Sequence, residues 1–261
     1  MEFLILLLLG IVAGTVAGLL GVGGGIVIVP MLVWFLSHYV EIPTTYLMQV
    51  AIGTSLATIV ITSLSSIIAH HQRKAVRWLI VWQLTPGIII GALLGATLAD
   101  KLPSDTLRII FAILILFVAA QLSFLPPPAP DRQLPNGLGI GIMGTIIGHI
   151  SALVGIGGGS LTVPFLVWCN ISIRNAVGTS AACGFPIAVS GTFGFIITGW
   201  HINNLPAWTS GYIYWPAFFA IVPTSLVFAQ LGTKLAHTIP VNTLKNFFAV
   251  FLAGVGFKLL I

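Results

Sequence analysis

The sequence predicts an all-α polytopic membrane protein composed of two homologous halves, each with a glycine-broken helical hairpin and three transmembrane helices. Three observations predict this fold: the composition, the succession of apolar segments, and sequence blocks that occur twice. Hydrophobic residues make up 57% of the 261 residues and charged residues 6%, and the mean hydropathy is +1.11. A soluble globule could not cover its surface with so few polar groups, so the chain belongs in a lipid bilayer.

Ten apolar segments follow one another along the chain, at residues 3–20, 26–37, 46–69, 78–99, 106–125, 137–154, 160–170, 176–199, 212–236 and 242–261. Most are long enough for a helix of about 20 residues, the length that crosses the hydrocarbon core. The segments at 26–37 and 160–170 are too short to cross it alone. We therefore expect the chain to fold back at the glycines that precede each of them.

Three sequence blocks occur twice, in the same order in each half of the chain. The pairs are "GLLGVGGGIVIVP" (18–30) with "ALVGIGGGSLTVP" (152–164), "GTS" (53–55) with "GTS" (178–180), and "LGATLADKLPSDTLR" (94–108) with "LGTKLAHTIPVNTLK" (231–245). Matching blocks in one order indicate an internal duplication. We predict a first repeat at 1–125, a proline-rich linker at 126–136 and a second repeat at 137–261. The second repeat carries an insertion, "WHINNLPAW", whose aromatic residues we assign to the outer membrane interface.

The halves are inverted if each glycine-broken segment is a hairpin, which leaves three full crossings per half, and parallel if that segment crosses the membrane. Basic residues prefer cytoplasmic loops. With residues 70–77 inside, inversion places seven basic residues inside and three outside, whereas the parallel arrangement gives five and five. The inner seven are Arg73, Lys74, Arg77, Arg132, Arg174, Lys234 and Lys245, and the outer three are Lys101, Arg108 and Lys258. The charges therefore favour inversion.

Carboxylates are missing from the predicted spans, and no span combines a nucleophile with a base or a cluster of metal ligands. The five acidic residues, Glu2, Glu41, Asp100, Asp105 and Asp131, lie in termini or between apolar segments, whereas cation relays usually use a carboxylate inside a span. The two cysteines have no ligand-like neighbours, and the basic residues are scattered rather than grouped in a nucleic-acid patch. We expect no enzyme, no cofactor and no metal, and a solute that is an anion or neutral.

The glycine stretches predict a helix that stops inside the membrane and a second helix that begins there. Such a break leaves backbone polar groups unpaired, so it persists only where it lines a cavity or binds a solute. Glycine allows left-handed backbone and close approach of a ligand, and the new helix offers free N–H groups and a positive dipole end to an anion. The candidate glycines are Gly23, Gly24, Gly25, Gly157, Gly158 and Gly159. Close helix packing is the alternative use, to which we assign Gly10, Gly14, Gly18 and Gly21.

Hydroxyl side chains, which are candidate hydrogen-bond donors, follow one another at steps of three or four residues on the apolar segment at 46–69, at Thr54, Ser55, Thr58, Thr62 and Ser65. Thr54, Ser55, Thr179 and Ser180 belong to the two "GTS" blocks and could donate hydrogen bonds to an oxyanion. Their alternative role is to bond back to the backbone or to join helices. His149 lies inside a predicted span, where it either carries a proton or contacts an anion, or else joins helices as a neutral side chain.

The paired "GxGGG….VP" segments, the "GTS" helices and the duplicated layout over 261 residues resemble the TauE/SafE family, the sulfite-exporter or toluene-sulfonate-uptake permeases. The resemblance implies a multi-pass transporter of a bacterial-type plasma membrane, with sulfite, organosulfonates or related small anions as solutes and no enzymatic step. We expect a secondary transporter that works by alternating access. An anion channel that uses the same helix ends is the alternative.

Overall fold

A computed structural model describes residues 2–20, 24–124, 133–236 and 241–260. These residues form ten α-helices: α1 (Glu2–Leu20), α2 (Gly25–Tyr39), α3 (Leu47–Gln72), α4 (Trp78–Lys101), α5 (Ser104–Phe124), α6 (Leu138–Val154), α7 (Gly159–Trp168), α8 (Ile173–Gly199), α9 (Trp215–Ala236) and α10 (Val241–Leu260). A 3-10 turn at Thr44–Tyr46 precedes α3. Each apolar segment of the sequence corresponds to one helix, which confirms the all-α class.

The long helices have the length and composition of membrane spans. Within the described residues, four stretches are long and apolar enough to cross a bilayer: Thr44–Gln72, Trp78–Lys101, Ser104–Gln121 and Ile173–Gly199. Their outward faces carry large apolar side chains, such as Leu79 and Trp82 of α4, which are 72% and 69% exposed. An apolar face of this kind suits contact with lipid. The multi-pass membrane character expected from the composition is thus confirmed.

The breaks fall at the predicted glycines, although the two differ in backbone conformation. α6 ends at Gly155, which has φ 74°, and Gly158 precedes α7 with φ 77°. Only glycine takes up this left-handed region without strain. Gly24 precedes α2 with φ −66° and ψ −8°, so the first break does not need a positive φ at this position. α2 has 15 residues and α7 has 10, which at about 1.5 Å per residue is too short to cross a bilayer.

Helices from before and after the linker at 126–136 pack on each other in reciprocal pairs. α1 packs on α9 and α6 packs on α4, while α3 pairs with α8 and α5 pairs with α10. Glycines allow the close approaches: a Cβ atom on Gly91 would overlap the Thr145 carbonyl, and one on Gly14 would lie 2.5 Å from Ser225 Cα. The assignment of Gly10 and Gly14 to helix packing is confirmed, since both face the backbone of α9.

A short β-hairpin lies between α8 and α9, in the insertion of the second half. Strand β1 (Thr209–Ser210) pairs antiparallel with β2 (Ile213–Tyr214), and Gly211 has φ 56° in the turn. Tyr212 of this turn is fully buried, and its hydroxyl donates to Asp100 Oδ1 at 2.7 Å. The sequence predicted an apolar segment from residue 212. The hairpin precedes the helix there because the chain turns back at Gly211 before α9 begins.

Candidate functional site

A cavity of about 190 Å³ lies where the two glycine-broken segments meet. Gly24 contributes to its wall from the start of α2, and Gly157 and Gly159 contribute from the start of α7. The other walls come from α1, α3, α8 and α9, and their polar members are Thr62, Ser63, Ser65, Ser66, His70, Arg73, Ser180, Ser225 and Gln230. One cavity therefore joins both helix starts to a polar wall.

The starts of α2 and α7 bring positive dipole ends to this cavity. In α2, the Gly24 carbonyl accepts from the amides of Val27 and Ile28. In α7, the Gly158 carbonyl accepts in the same way from Leu161 and Thr162. The backbone amides that precede these first donors have no partner within their helix. Because the residues at both starts line the cavity, the partial positive charge of each helix end faces the same space.

The two breaks also touch each other. A Cβ atom on Gly25 would overlap the carbonyl oxygen of Gly155 and would lie 3.0 Å from Ile156 Cα. Ser55 of α3 donates to the same Gly155 carbonyl at 3.0 Å. Gly25 is buried and is absent from the cavity wall. Its position is therefore a packing contact between the breaks.

The remaining candidate glycines occupy different positions. Gly24, Gly157 and Gly159 line the cavity. Gly158 has its Cα turned toward α8, since an added Cβ would overlap Ile187 Cδ1. Gly23 lies outside the described residues. The backbone beside the cavity thus comes from three of the predicted glycines.

Of the four hydroxyls in the "GTS" blocks, Ser180 alone lines the cavity. Its Oγ is fully buried and has no hydrogen-bond partner among the described residues. Thr54 Oγ1 instead accepts from the Tyr214 amide at 2.9 Å, and Thr179 Oγ1 accepts from the Arg77 amide at 3.0 Å. Thr54, Ser55 and Thr179 therefore join distant parts of the chain, whereas Ser180 is free to bind a solute.

The cavity wall carries positive charge and no carboxylate. Arg73 and His70 lie on it at the end of α3, and none of its described residues is acidic. Asp100 lies at the other end of the bundle, bonded to Tyr212, and Asp105 pairs with Arg108 at 3.8 Å. An anion in this cavity would meet no like charge.

The Tyr212 phenol stays neutral under ordinary conditions. Burial raises the pKa of Tyr212 far above its usual value, and the hydrogen bond to Asp100 acts in the same direction. Loss of the proton would leave two negative charges within hydrogen-bond distance in a buried site. Tyr212 therefore serves as a permanent donor that holds the hairpin to the end of α4.

His149 lies on α6 against α4, away from the cavity wall. Its backbone carbonyl faces Gly95, where an added Cβ would lie 2.5 Å from the oxygen. The side chain is half-buried and is not part of the wall. The two roles considered for His149 remain predictions. No group of three or more potential metal ligands occurs among the described residues, and Cys169 and Cys183 are buried free thiols.

Sequence reasoning named Thr62, Ser65 and Ser180 of the wall as candidate donors, but it missed other wall residues, Arg73 above all. Arg73 entered the prediction only as a charge that sets orientation, although Thr62, Ser66, Ala69 and Arg73 follow at steps of three and four residues. Such spacing places side chains on one face of a helix. The signal was therefore present, as a helix face with two hydroxyl side chains that ends in a cation.

Comparison with known proteins identifies the family. The family model described as sulfite exporter TauE/SafE matches residues 6–259. A probable membrane transporter protein of Haemophilus influenzae is 40% identical over 258 residues, which cover 98% of this chain and 97% of the relative. The probable membrane transporter protein YunE of Bacillus subtilis is 30% identical, with 100% of this chain and 98% of the relative covered.

A relative in Methanocaldococcus jannaschii, also described as a probable membrane transporter protein, is 30% identical over 276 residues and covers 100% of this chain and 97% of its own length. No solved structure matches the chain. The helical bundle, the paired glycine breaks and these full-length similarities lead to one assignment: the chain belongs to the TauE/SafE family of membrane transporters.

Proposed function

We propose that this chain is a secondary transporter of small sulfur-containing anions, such as sulfite or sulfonates, in a bacterial-type plasma membrane. The observation that carries the proposal is the convergence of two helix starts and the unpartnered Ser180 hydroxyl on one cavity without acidic residues. Backbone amides at helix starts bind anionic oxygens. A buried hydroxyl without a partner is costly unless a ligand or water accepts its hydrogen bond.

The size of the cavity suits a small oxyanion. A volume of about 190 Å³ corresponds to roughly six water molecules at about 30 Å³ each. Sulfite has four heavy atoms and a two-carbon aminosulfonate has seven, so either fits with part of its hydration shell. The polar groups around the cavity include hydroxyls, the Gln230 amide and the Arg73 guanidinium, which can donate to several oxygens of one ion.

Access from one side supports a carrier rather than a channel. The cavity extends along α3 from Ile59 to Arg73, the end that the charge distribution assigns to the cytoplasm. The opposite end of α3 is closed, since Thr54 and Tyr212 are fully buried there. Alternating access requires a site open to one side at a time, whereas a channel requires a continuous path.

The reciprocal packing of the helices supports two halves, at 1–125 and 137–261, that are related by a two-fold axis. α1 and α6 are the first helices of their halves, and each packs on the fourth helix of the other half, α9 and α4 respectively. The third helices, α3 and α8, pack on each other, as do the last ones, α5 and α10. A two-fold relation between the halves produces such exchanged pairs. The distribution of basic residues favours the inverted form of this relation, which gives the two states that alternating access needs.

The binding claim is tested with purified protein and sulfite, sulfate, thiosulfate, taurine and acetate as probes. A ligand that binds the folded state raises its melting temperature. We expect stabilisation by at least one sulfur oxyanion and none by acetate. Loss of the Ser180 hydrogen bond to a charged ligand should weaken binding by about 1.5 to 3 kcal/mol, or roughly ten- to a hundredfold in Kd. The variant is Ser180→Ala.

Ser190→Ala is the matched control, because Ser190 is a buried serine of the same helix that does not line the cavity. Equal anion affinity of Ser180→Ala and Ser190→Ala would show that the Ser180 hydroxyl does not bind the anion. Absence of binding by every sulfur anion would overturn the proposed solute class. Counterflow into liposomes would support the carrier, and single-channel conductance would support the channel instead.

A further inference from the structure

We propose that Arg73 and Arg174 form an anion-admission site at the mouth of the cavity, which captures a sulfur oxyanion before it reaches the glycine-broken helices. This inference rests on the proposed function and adds a second, outer binding site to it. The site carries two guanidinium groups at the junction of α3, α8 and the loop that follows α3. It selects for charge, whereas the inner site selects for hydrogen-bonding oxygens.

Two adjoining cavities meet at Arg73. The central cavity ends at His70 and Arg73, and a second, more open cavity of about 250 Å³ begins at the same two residues. Its remaining walls include Ala75, Arg174 and Val177. A solute that enters through the second cavity therefore passes Arg73 on its way to the first.

The loop after α3 is fixed to α8, so the position of Arg73 is defined. The Arg174 Nη2 donates to the Arg73 carbonyl at 3.1 Å. The Arg77 amide donates to Thr179 Oγ1, and Ala75 is buried against Gly178, where an added Cβ would lie 2.8 Å from the Ala75 carbonyl. Thr179 therefore helps to hold the loop 73–77 in place at the mouth of the cavity.

Neither guanidinium has an acidic partner in the described part of the chain, where the sole ion pair joins Arg108 to Asp105. Helix stability does not explain Arg174 either. It lies in the first turn of α8, which begins at Ile173, and a cation at a helix N-terminus is electrostatically unfavourable. Two unpaired cations and the positive end of α8 thus face one aqueous cavity.

This arrangement attracts anions from solution. Charged clefts raise the local concentration of oppositely charged solutes and the rate of their capture, and the effect falls as ionic strength rises. The single hydrogen bond from Arg174 to the Arg73 carbonyl leaves further N–H groups of its five available for oxygens of a ligand. The captured ion then moves inward along the Thr62–Arg73 helix face toward Ser180.

The test compares Arg73→Gln with Lys74→Asn, a control in the same loop that removes the same charge. Lys74 lines neither cavity, and its φ of 53° suits asparagine. Arg73→Gln keeps the backbone carbonyl that Arg174 uses. Sulfite affinity is measured by thermal stabilisation at ionic strengths of about 0.01 M and about 0.15 M, between which the Debye length falls from about 30 Å to about 8 Å.

We expect wild-type affinity to fall with salt, and we expect Arg73→Gln to lower the low-salt affinity by about tenfold and to flatten the salt dependence. Lys74→Asn should change affinity less than threefold, roughly what a screened exposed charge contributes. Arg73→Lys should retain the salt dependence because it retains the charge. Where Arg73→Gln does not stay monodisperse, Arg174→Gln replaces it, with the same expected result.

Equal affinity and equal salt dependence of Arg73→Gln and Lys74→Asn would overturn the admission site while leaving the inner site intact. Failure of the wild-type protein to bind any sulfur oxyanion would overturn the proposed function itself. Ser180→Ala distinguishes the inner binding site from the outer one, because this variant should weaken sulfite binding equally at both ionic strengths.

Discussion

The two ends of the helix bundle differ in what lies between α3 and α8. At one end the space is a cavity that reaches His70 and Arg73. At the other end a β-hairpin lies between the same helices: Gly53 of α3 faces the Tyr212 carbonyl and Gly199 of α8 faces the Tyr212 amide. One helix pair thus has an open end and a filled end.

The difference comes from a segment that only the second half of the chain contains. The hairpin adds a buried aromatic ring, which packs edge-on against Phe195, and hydrogen bonds to Asp100 and Thr54. At the open end, the equivalent connection is the five-residue loop 73–77, in which Arg73 lines both cavities. One short insertion is therefore enough to make the two ends of this helix pair differ.

Removal of the Tyr212 side chain should have the largest effect on the filled end. Tyr212→Ala deletes a fully buried ring together with its hydrogen bond, and such deletions cost about 3 to 5 kcal/mol. We expect a clear fall in the melting temperature of the purified protein. Trp208→Ala serves as the control, because Trp208 is 79% exposed, and an equal loss from both variants would mean that the ring does not hold this end.

Cysteine labelling should separate the two ends by accessibility. With Cys169 and Cys183 replaced, a cysteine at Ser66, on the cavity wall, should react with a water-soluble maleimide. A cysteine at Thr54, which is fully buried, should react about a hundredfold more slowly. This ratio corresponds to a local opening free energy of about 2.7 kcal/mol that is needed to expose position 54.

The same labelling assigns the sides of the membrane. Inside-out vesicles should label position 66 faster than right-side-out vesicles, because the loop at 70–77 is expected in the cytoplasm. A faster reaction in right-side-out vesicles would reverse the orientation, and equal rates for positions 54 and 66 would contradict the difference between the ends.

A smaller effect is expected from the Tyr212 hydroxyl alone. Tyr212→Phe keeps the ring and removes the hydrogen bond to Asp100, at a cost of about 1.5 kcal/mol. Burial raises the pKa of Tyr212 in the folded protein, so the neutral phenol stabilises the fold fully below the ordinary tyrosine pKa of about 10, and this contribution declines as the pH rises above it.

The wild-type protein should therefore lose more stability than Tyr212→Phe between about pH 9 and about pH 11, a window that brackets the ordinary tyrosine pKa. The measurement is the melting temperature of both proteins across this window. Parallel curves would show that the buried phenol does not contribute to the pH dependence.

The smallest effect should come from Thr54, whose Oγ1 accepts from the Tyr214 amide. Thr54→Val keeps the shape and removes the acceptor, and side-chain hydrogen bonds inside membrane proteins average about 0.6 kcal/mol. We expect a small decrease in stability and no change in sulfite affinity, since Thr54 is not part of the cavity wall. Weaker sulfite binding by Thr54→Val at unchanged stability would return this hydroxyl to the binding site.

The sequence predicted what depends on local pattern. Apolar length and the glycine stretches indicate α2 and α7 and the breaks before them, because helix length and backbone freedom are properties of neighbouring residues. The partners of the hydroxyls could not be predicted in this way. Thr54 and Tyr214 are separated by 160 residues, and Ser55 and Gly155 by 100, so only the packed helices bring them together.

The insertion illustrates the same limit. Its composition indicated an interface, with Trp200 and Trp208 at the membrane surface, and both side chains are indeed exposed. The buried position of Tyr212 depends instead on Asp100, 112 residues away, and on the space that Gly53 and Gly199 leave for its backbone. Such a fit between three distant segments leaves no periodic signal in the sequence.

The hairpin also has a consequence for the relative populations of the two conformations of the carrier that we propose, with its two inverted halves. Two inverted halves of identical sequence would give outward-facing and inward-facing conformations of equal free energy. Each conformation would then be populated by half of the molecules. Contacts made by Tyr212 and Tyr214 exist in the conformation whose hairpin end is filled, and each 1.4 kcal/mol of such contacts changes the ratio of the two states about tenfold. In the proposed carrier, the hairpin contacts would therefore favour the conformation that is open at the Arg73 end when no solute is bound.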